Sequence, residues 1–315
     1  MALYLITGGS GFIGSHTADE ILRRGGEVRV LDNLSTGRRE NLAHISNRIE
    51  FFELDIRELD AIRPVFEGVD YVVHLAALPS VPRSVADPIT SNAINITGTL
   101  NVLVAARDAK VKRLVFSASS SAYGDNPEFP RRETQMPRPL SPYALGKLAG
   151  EYYCQLFTQL YGLEAVALRY FNIFGPRQNH HSPYTGVLSI FITAFLKGET
   201  PTIFGDGEQS RDFTYVANAV KATLLACTAP GAAGKVINVG VGEQFTLNRT
   251  VAMLNEIMGL SVKPKYGPPR AGDVRDSLAD ITLARQALGY EPDFRYEEGL
   301  RKTIEWYRQE LAAGR

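Results

Sequence analysis

Short apolar runs alternate with amphipathic stretches through the first half of the chain. The runs that predict strands are Leu3–Thr7, Glu27–Leu31, Ile49–Glu53, Tyr71–Leu75, Arg113–Ala118 and Ala165–Arg169. Between them, apolar positions recur at helical spacing at about 12–25, 58–67, 92–109 and 143–161. Strands separated by helices are typical of an α/β fold, in which a doubly wound parallel sheet of the Rossmann type is covered on both faces.

The pattern becomes less regular after about residue 172, where Pro and Gly are frequent and the elements are shorter. Lys235–Val239 predicts one more buried strand that returns to the main sheet. Tyr296–Leu311 predicts an amphipathic helix. We therefore expect a Rossmann domain over 1–172 with a returning segment near 209–240, interleaved with a smaller α/β cap domain over 173–315.

Composition and charge exclude several classes of protein. The 315 residues include 34 basic and 34 acidic side chains, so a balance of zero gives no sign of a nucleic-acid partner or of a membrane surface. No apolar run approaches the ~20 residues of a membrane span, and the first residues do not resemble a leader. Cys154 and Cys227, without pairing or metal-ligand spacing, predict buried thiols in a reducing, cytoplasmic compartment. We expect no metal site.

A glycine-rich turn joins the first predicted strand to the first helix. Gly8 permits the tight turn, Gly11 lets the backbone approach a pyrophosphate, and Gly14 lets the helix and strand pack closely. Phe12 and Ile13 open the helix, whose N-terminal N–H groups and dipole favour phosphate. Gly-rich turns are common, but this position between a strand and a helix predicts a dinucleotide site.

Two acidic residues end the second and third predicted strands. Asp32 lies 18 residues beyond Gly14, where a carboxylate accepts hydrogen bonds from a ribose and repels a 2′-phosphate. This position favours NAD over NADP, although Arg38 and Arg39 lie nearby. Asp55-Ile56 occupies the place expected for the adenine ring, and an ordinary turn aspartate is the rival interpretation.

A tyrosine and a lysine at helical spacing carry the most specific chemistry. Ser141 suits an N-cap and Pro142 the first helical position, so Tyr143 and Lys147 share one face of the helix. A phenol needs a pKa about 3 units below its usual value to act as a base, and a neighbouring ammonium and a cationic nicotinamide ring favour that ionisation. Alone, the spacing is more typical of an exposed helix; after the glycine turn and Asp32 it indicates an oxidoreductase site.

The chain resembles the extended short-chain dehydrogenases/reductases and, within them, the UDP-sugar 4-epimerases, particularly those acting on N-acetylated hexosamines. The segments that carry the resemblance, besides the glycine turn and the Tyr143/Lys147 motif, are Leu75–Ser84, Ser117–Gly124, Arg169–Asn172, Gly205–Phe213 and Arg270–Asp280. The resemblance implies that Ser119 is the third catalytic residue, which hydrogen-bonds the sugar 4-oxygen and steers its proton to Tyr143.

The resemblance also implies the residues that surround the ligands. For NAD, besides those above, it implies Asn33, Ser35, Thr36, Gly37, Leu75, Ala76, Ala77, Pro79, Asn95, Ser117 and Phe171. For the UDP-sugar it implies Ser80, Val81, Arg83, Ser119, Ser120, Ser121, Tyr143, Asn172, Val187, Leu188, Ile203, Phe204, Arg211, Arg270, Asp273 and Ser277. Among these, Arg211 and Arg270 match the arginines that hold the diphosphate.

The serine loop bears on which reaction follows oxidation at C4. Related dehydratases carry an Asp-Glu pair where this chain has Ser120 and Ser121, which cannot eliminate water. Decarboxylation is less favoured because the loop offers no Glu and Arg for a uronate, although Arg83 is near in sequence. C4-epimerisation through a 4-keto sugar is therefore the main expectation. The alternatives are a UDP-glucuronate decarboxylase or epimerase, a 4,6-dehydratase, and a non-catalytic NAD-sensing protein.

Two further expectations come from the resemblance. A small residue at Ser277 admits a 2-N-acetyl group, which implies UDP-GlcNAc/UDP-GalNAc as substrates together with UDP-Glc/UDP-Gal. The helices at 92–108 and 143–161 are those through which relatives form a homodimer with a four-helix bundle. Both carry apolar residues on more than one face, which is equally compatible with a helix packed between two layers of its own domain.

Overall fold

Parallel strands build a seven-stranded sheet at the centre of the structure. The computed structural model describes residues 1–179, 186–269 and 274–314. The strands are β1 (Leu3–Thr7), β2 (Glu27–Leu31), β3 (Ile49–Phe52), β4 (Tyr71–His74), β5 (Arg113–Ser119), β6 (Ala165–Tyr170), β7 (Ile173–Phe174), β8 (Thr202–Phe204), β9 (Ser210–Arg211), β10 (Thr214–Tyr215), β11 (Val236–Val239), β12 (Phe245–Thr246), β13 (Lys265–Gly267) and β14 (Asp276–Ser277). Across the large sheet the order is β11-β6-β5-β4-β1-β2-β3, with every neighbouring pair parallel.

Helices follow most of these strands and cover both faces of the sheet. They are α1 (Phe12–Arg23), α2 (Leu59–Ile62), α3 (Val81–Ala86), α4 (Pro88–Asn92), α5 (Thr99–Asp108), α6 (Pro142–Tyr161), α7 (Val187–Leu196), α8 (Val216–Thr228), α9 (Leu247–Met258), α10 (Thr282–Leu288) and α11 (Tyr296–Ala312). Shorter 3-10 segments span Arg39–Arg48, Arg63–Phe66 and Ser120–Tyr123, and a π-helical turn spans Ala93–Gly98.

Alternate residues of each central strand point to opposite faces of the sheet and build two separate apolar cores. On β1, Ile6 packs with α1 and α8 on one face, while Leu5 packs with α2 and α5 on the other. On β5, Val115 lies in the same core as Ile6, and Leu114 lies in the same core as Leu5. Burial on both faces explains why these strands are almost continuously apolar.

The predicted doubly wound parallel sheet is confirmed. Its six strands from β1 to β6 lie where the sequence predicts them, and their ends differ by no more than one residue. The predicted returning strand is also present, because β11 pairs with β6 at the edge of the sheet. Cys154 and Cys227 are buried free thiols, as expected, and burial raises the pKa of both.

Two of the predicted helices are interrupted. The helix expected over 58–67 changes from α2 to a 3-10 segment at Arg63, because Pro64 has no N–H to donate to an α-helical hydrogen bond. The helix expected over 92–109 begins earlier, at Pro88, and contains a π-helical turn before α5. At the end of that turn, a Cβ on Gly98 would lie 2.6 Å from the Ile56 side chain, so any larger residue would displace Ile56.

Short strands outside the large sheet pair into small sheets in the described part of the second half of the chain. The strand β9 pairs with β12 and β14, β8 pairs with β13, and β7 pairs with β10. The buried Asp212 carboxylate fixes several of these segments, since it accepts hydrogen bonds from the N–H groups of Val241 at 2.9 Å, Gly242 at 3.0 Å and Ala279 at 3.2 Å. Burial nevertheless dominates and raises the pKa of Asp212 to about 6.

Candidate functional site

A cavity of about 1170 Å³ opens at the carboxyl ends of β1, β2, β4, β5 and β6. In open parallel sheets this edge is where ligands bind, because the strand order reverses there and leaves a crevice between loops. The sequence-predicted residues that line it are Gly8, Gly11, Phe12, Ile13, Gly14, Asp32, Asn33, Ser35, Thr36, Gly37, Asp55, Ile56, Leu75, Ala76, Ala77, Pro79, Ser80, Val81, Arg83, Ser117, Ser119, Ser120, Ser121, Tyr143, Lys147, Asn172, Arg211 and Ser277.

The glycine turn at one end of the cavity leaves no room for side chains. A Cβ on Gly8, which has φ +72°, would lie 2.7 Å from the backbone nitrogen of Ala76. A Cβ on Gly14 would lie 2.3 Å from the Gly8 carbonyl oxygen. No side chain caps the N-terminus of α1, so its first N–H groups remain available to an anionic ligand. This cradle fits a pyrophosphate.

A buried carboxylate lies beside this turn. Asp32 is 6% exposed, and its two oxygens accept hydrogen bonds from the N–H groups of Ser10 at 2.9 Å and Leu34 at 2.8 Å. Burial raises the pKa of Asp32, and these two hydrogen bonds oppose the rise. A Cβ on Gly37 would lie 2.8 Å from Asp32 Oδ2, so the approach to the carboxylate is kept clear of side chains.

Asp55 lines the next part of the same wall in an ionised state. Arg57 Nη2 donates to Asp55 Oδ2 at 2.7 Å, and Asn33 Nδ2 donates to the same oxygen at 2.8 Å. The Arg57 guanidinium lowers the pKa of Asp55 to about 2. Asp55 therefore forms a stable, charged boundary to the cavity at the end of β3.

The start of α6 holds the predicted tyrosine in place. Ser141 Oγ accepts from the Ala144 N–H at 3.1 Å, so the predicted N-cap is confirmed. The Tyr143 N–H, one of the donors that a helix start leaves unpaired, donates to Ser84 Oγ at 3.1 Å. Ser84 is fully buried on α3, and this contact fixes the first turn of α6 against the cavity wall.

Lys147 lies one turn further along α6 and is 3% exposed. Its Nζ donates to the Ser117 carbonyl oxygen at 2.6 Å and lies 5.0 Å from the centre of the Phe116 ring. Burial lowers the pKa of Lys147 to about 8, and the nearby Glu151 carboxylate opposes that fall. The side chain is therefore an ammonium at neutral pH, held towards the end of β5.

The phenol of Tyr143 is half-buried, and burial raises its pKa. A hydrogen bond with Ser119 lowers the pKa of Tyr143 and offsets part of this rise. Burial thus acts against the ionisation that a base requires, so positive charge near the ring must supply the opposite effect. Lys147 follows Tyr143 by four residues and lies on the same face of α6.

The serine loop follows β5 as a short 3-10 turn. Ser119 Oγ accepts from the Ser121 N–H at 3.2 Å and from Ser121 Oγ at 2.9 Å. These contacts orient Ser119 towards the cavity that Tyr143 and Ser120 also line. The loop carries hydroxyl groups and no carboxyl group, so it can hydrogen-bond a sugar but has no acid of its own.

The opposite wall comes from the second half of the chain. Arg211 Nη1 donates to the carbonyl oxygens of Ser210 at 2.8 Å and Arg275 at 3.0 Å, which fixes the guanidinium at the cavity rim. Asn172, in the left-handed region with φ +38°, donates to the Asp212 carbonyl at 3.2 Å. Ser277 is half-buried and lies opposite Arg211 in the pairing of β14 with β9.

Six sequence-predicted residues lie outside the cavity wall, and two lie outside the described residues. The first group comprises Asn95, Phe171, Val187, Leu188, Ile203 and Phe204. Asn95 is buried and exchanges hydrogen bonds with Leu78, so it supports the loop after β4 from behind. Phe171 is fully buried in the core. Arg270 and Asp273 belong to the residues that the structure does not describe.

The cavity also contains residues that sequence reasoning missed. Arg131, Tyr123 and Arg177 line it. Arg177 has φ +65° and forms an ion pair with Asp19 of α1, with Nη2 and Oδ2 2.8 Å apart. A basic residue directly after Gly175-Pro176 at a strand end was the available signal, whereas nothing local indicated Arg131, whose position depends on the distant bridge to Ala279.

Neither a membrane-spanning helix nor a metal centre is found in the described part of the chain. None of its helices is long and apolar enough to cross a bilayer. Within the same residues, no group of three or more His, Cys, Asp or Glu side chains comes together to hold a metal ion.

Comparison of the chain with known proteins identifies its family. The pattern that describes the NAD dependent epimerase/dehydratase family matches residues 4–240. A UDP-glucose 4-epimerase from Mycolicibacterium smegmatis is 40% identical over 96% of this chain and 98% of its own length. The chain is also similar to a UDP-N-acetylglucosamine 4-epimerase from Methanobrevibacter ruminantium M1, solved in complex with UDP-N-acetylmuramic acid, at 41% identity, with a TM-score of 0.94 over 98% of this chain and 99% of that one.

Further relatives include a structure with bound NAD and an enzyme named for a different reaction. The UDP-glucose 4-epimerase of Thermus thermophilus, solved in complex with NAD, is 39% identical, with a TM-score of 0.88 over 97% of this chain and 99% of that one. A UDP-N-acetyl-alpha-D-glucosaminuronate decarboxylase of Bacillus cytotoxicus is 33% identical over 97% of both chains. The chain belongs to the NAD dependent epimerase/dehydratase family, among its UDP-sugar 4-epimerases, and its cofactor is NAD.

Proposed function

We propose that this protein interconverts the C4 epimers of UDP-N-acetylhexosamines, UDP-GlcNAc and UDP-GalNAc, and also those of UDP-Glc and UDP-Gal. One observation carries the proposal: Ser119, Tyr143 and Lys147 line the same cavity as the glycine turn and Asp32. We further propose that residues 1–172 with the segment near 209–240 hold the cofactor, and that 173–315 hold the nucleotide sugar.

The residues present fit NAD. The turn at Gly8 and Gly14 admits backbone and phosphate but no Cβ, and the buried Asp32 carboxylate suits ribose hydroxyls. When bound, NAD supplies a hydride acceptor that returns the hydride in the second half of the reaction. The chain's own residues must hold the sugar beside it, remove one proton, and give that proton back.

Proton transfer falls to Tyr143. As a phenolate it would take the proton of the sugar 4-hydroxyl, while the hydroxyl of Ser119 hydrogen-bonds the same oxygen. The Lys147 ammonium stabilises the phenolate by its charge. Arg211 holds the diphosphate at the rim, so the 4-keto sugar can turn and present its other face before the proton from Tyr143 returns.

The serine loop favours epimerisation over elimination. Ser120 and Ser121 line the cavity where a dehydratase would need an acid and a base. The second candidate is action on a UDP-uronate, by epimerisation or decarboxylation. The exposed Arg83 favours it, because this residue lines the same cavity and a guanidinium suits a sugar carboxylate.

Incubation with UDP-GlcNAc, UDP-Glc and UDP-GlcA in parallel, followed by separation of the sugar nucleotides, tests the proposal. We expect the C4 epimer of UDP-GlcNAc to form without added NAD, because each cycle regenerates the cofactor. Release of CO2 from UDP-GlcA, or an absence of product from all three, would contradict it.

Sugar size gives a further prediction at Ser277. Replacing Ser277 by Tyr should lower kcat/KM for UDP-GlcNAc about 10- to 100-fold, because overfilling a packed site costs about 1–3 kcal/mol. UDP-Glc, which has no N-acetyl group, should lose only a few-fold. Steady-state kinetics with both substrates, and with Ser277→Ala as the control that keeps the space open, measure this. Equal losses of kcat/KM for the two sugars would show that Ser277 does not lie beside the N-acetyl group.

We also propose a homodimer. An exposed apolar stripe runs along α6 through Leu145, Tyr152, Leu156 and Leu160 at helical spacing, and Ile89 of the adjacent α4 is exposed as well. A continuous apolar face of this kind is typical of an interface. Sedimentation should show a dimer for the unaltered chain and a monomer for Leu156→Glu, and a monomeric unaltered chain would refute the proposal.

A further inference from the structure

A buried ion pair lies behind the catalytic lysine, and the reaction just described does not use it. Arg169 Nε and Nη2 donate to the two carboxylate oxygens of Glu151 at 2.9 and 2.7 Å. The side chains are 4% and 2% exposed. Removing two charges from water is costly, and apolar residues in the same place are often as stable, so stability alone is a weak reason for such a pair.

The pair is positioned to act on Lys147. Glu151 follows Lys147 by one turn on the same face of α6, and both side chains are buried. Lys147 Nζ contacts the carbonyl of Ser117 on β5, while Arg169 on β6 lies opposite Ala118, the next residue along β5. The Glu151 carboxylate is thus held near the lysine by a guanidinium on the strand beneath.

The other groups around Lys147 supply little negative charge. The titratable or charged residues on the elements and loops around it include Tyr143, Glu151, His74, Arg169, Tyr170, Tyr123, Arg83 and Glu133. Burial lowers the pKa of His74 to about 3 and raises that of Tyr123 to about 12, so both are neutral. The α4 helix and the π-helical turn have no charged residue, and those of α5 lie at its far end.

Glu133 is a further carboxyl group in this region. It accepts a hydrogen bond from the Asn238 N–H at 2.7 Å, and burial raises its pKa. Glu151 is the carboxylate that opposes the effect of burial on Lys147.

We propose that Glu151 is a positioning residue, which keeps Lys147 in its ammonium form and, together with Arg169, sets the upper pH at which the site works. The inference rests on the proposed function for its effect on catalysis. Its effect on the lysine itself does not depend on turnover, because the pair and Lys147 belong to the protein alone.

Variants that remove one charge at a time give opposite predictions. Glu151→Gln leaves the Arg169 cation unpaired near Lys147, so the pKa of the lysine should fall by about one unit or more. Arg169→Met leaves the carboxylate unpaired, so the lysine pKa should rise. The double variant removes both charges, so the lysine pKa should lie between those of the two single variants and below that of the unaltered protein, because Glu151 is the charge that raises it. A purely structural defect would affect both single variants in the same direction.

The experiment follows Lys147 directly and through activity. The carbon-13 shift of its Cε, in protein with labelled lysine and assigned by its loss in Lys147→Met, reports the titration without substrate. The pH profile of kcat for UDP-GlcNAc should show its alkaline limb displaced in the same sense in each variant. Glu164→Gln is the matched control, since it breaks a pair with Arg113 at the opposite end of β5.

Opposite displacements in the two single variants, absent from the control, are the result expected. The inference would be overturned if Lys147 titrated at the same pH in both single variants and the unaltered protein, or if its pKa moved in the same direction in both variants. If one variant fails to fold, the sign seen in the other decides. A folded protein that titrates as expected but converts no UDP-sugar would refute the proposed function and leave the role of Glu151 in place.

Discussion

Replacing Tyr143 by phenylalanine should reduce the rate of C4-epimerisation about 10³-fold while the protein remains folded. General acid–base catalysis contributes about 10²–10⁴-fold, and this change removes the only atom of the side chain that can transfer a proton. The ring stays in place because its backbone N–H is held by Ser84. Steady-state kinetics with UDP-GlcNAc and a thermal melt measure the two outcomes.

The matched control for this change is Tyr296→Phe. Tyr296 is a buried tyrosine whose hydroxyl donates to Thr250 at 3.1 Å, and it does not line the cavity. We expect it to keep its activity and to lose about 1 kcal/mol of stability. If Tyr143→Phe kept more than a tenth of the activity, another group would have to carry the proton.

Replacing Lys147 by methionine should lower kcat about 10²-fold or more and change the pH profile. In the unaltered protein, activity should decline as the pH rises above about 8, because burial lowers the pKa of Lys147 to about 8 and the ammonium is then lost. Methionine fills similar space without charge, so the phenol of Tyr143 loses the ion that favours its ionised form. The residual activity should then lack this decline near pH 8.

The control for the lysine change is Lys221→Met, which removes an exposed ion pair with Asp293. It should alter neither kcat nor the pH profile, since surface pairs contribute little and Lys221 lies away from the cavity. An unchanged alkaline limb in Lys147→Met would show that a different group is responsible for it.

Much of the fold could be predicted because it follows local patterns. The strands from β1 to β6 are short apolar runs buried on both faces, and their ends agree with the sequence to within one residue. Gly14 is also local in effect, since a Cβ there would meet the Gly8 carbonyl oxygen within the same turn. Ser141 and Pro142 define the start of α6 by capping chemistry that needs no tertiary contact.

The features that could not be predicted depend on contacts between distant residues. The π-helical turn before α5 is associated with the close approach of Gly98 to Ile56. Asp212, next to β9, holds the segments before β12 and after β14 through partners that lie about 30 and 67 positions away. The raised pKa of Tyr143 comes from burial, which a helical spacing does not report. Arg131 lines the cavity because of the distant bridge between it and Ala279, which no local pattern indicates.

The measurement that tests the account most directly follows the hydrogen on C4. UDP-GlcNAc that carries deuterium at C4 is incubated with the enzyme in ordinary water, and the mass and NMR spectrum of the UDP-GalNAc product are recorded. The proposed mechanism returns the hydride taken from C4 to the same sugar, so the product should keep its deuterium at C4. Product that carries protium from the solvent at C4 would contradict transient oxidation at that carbon.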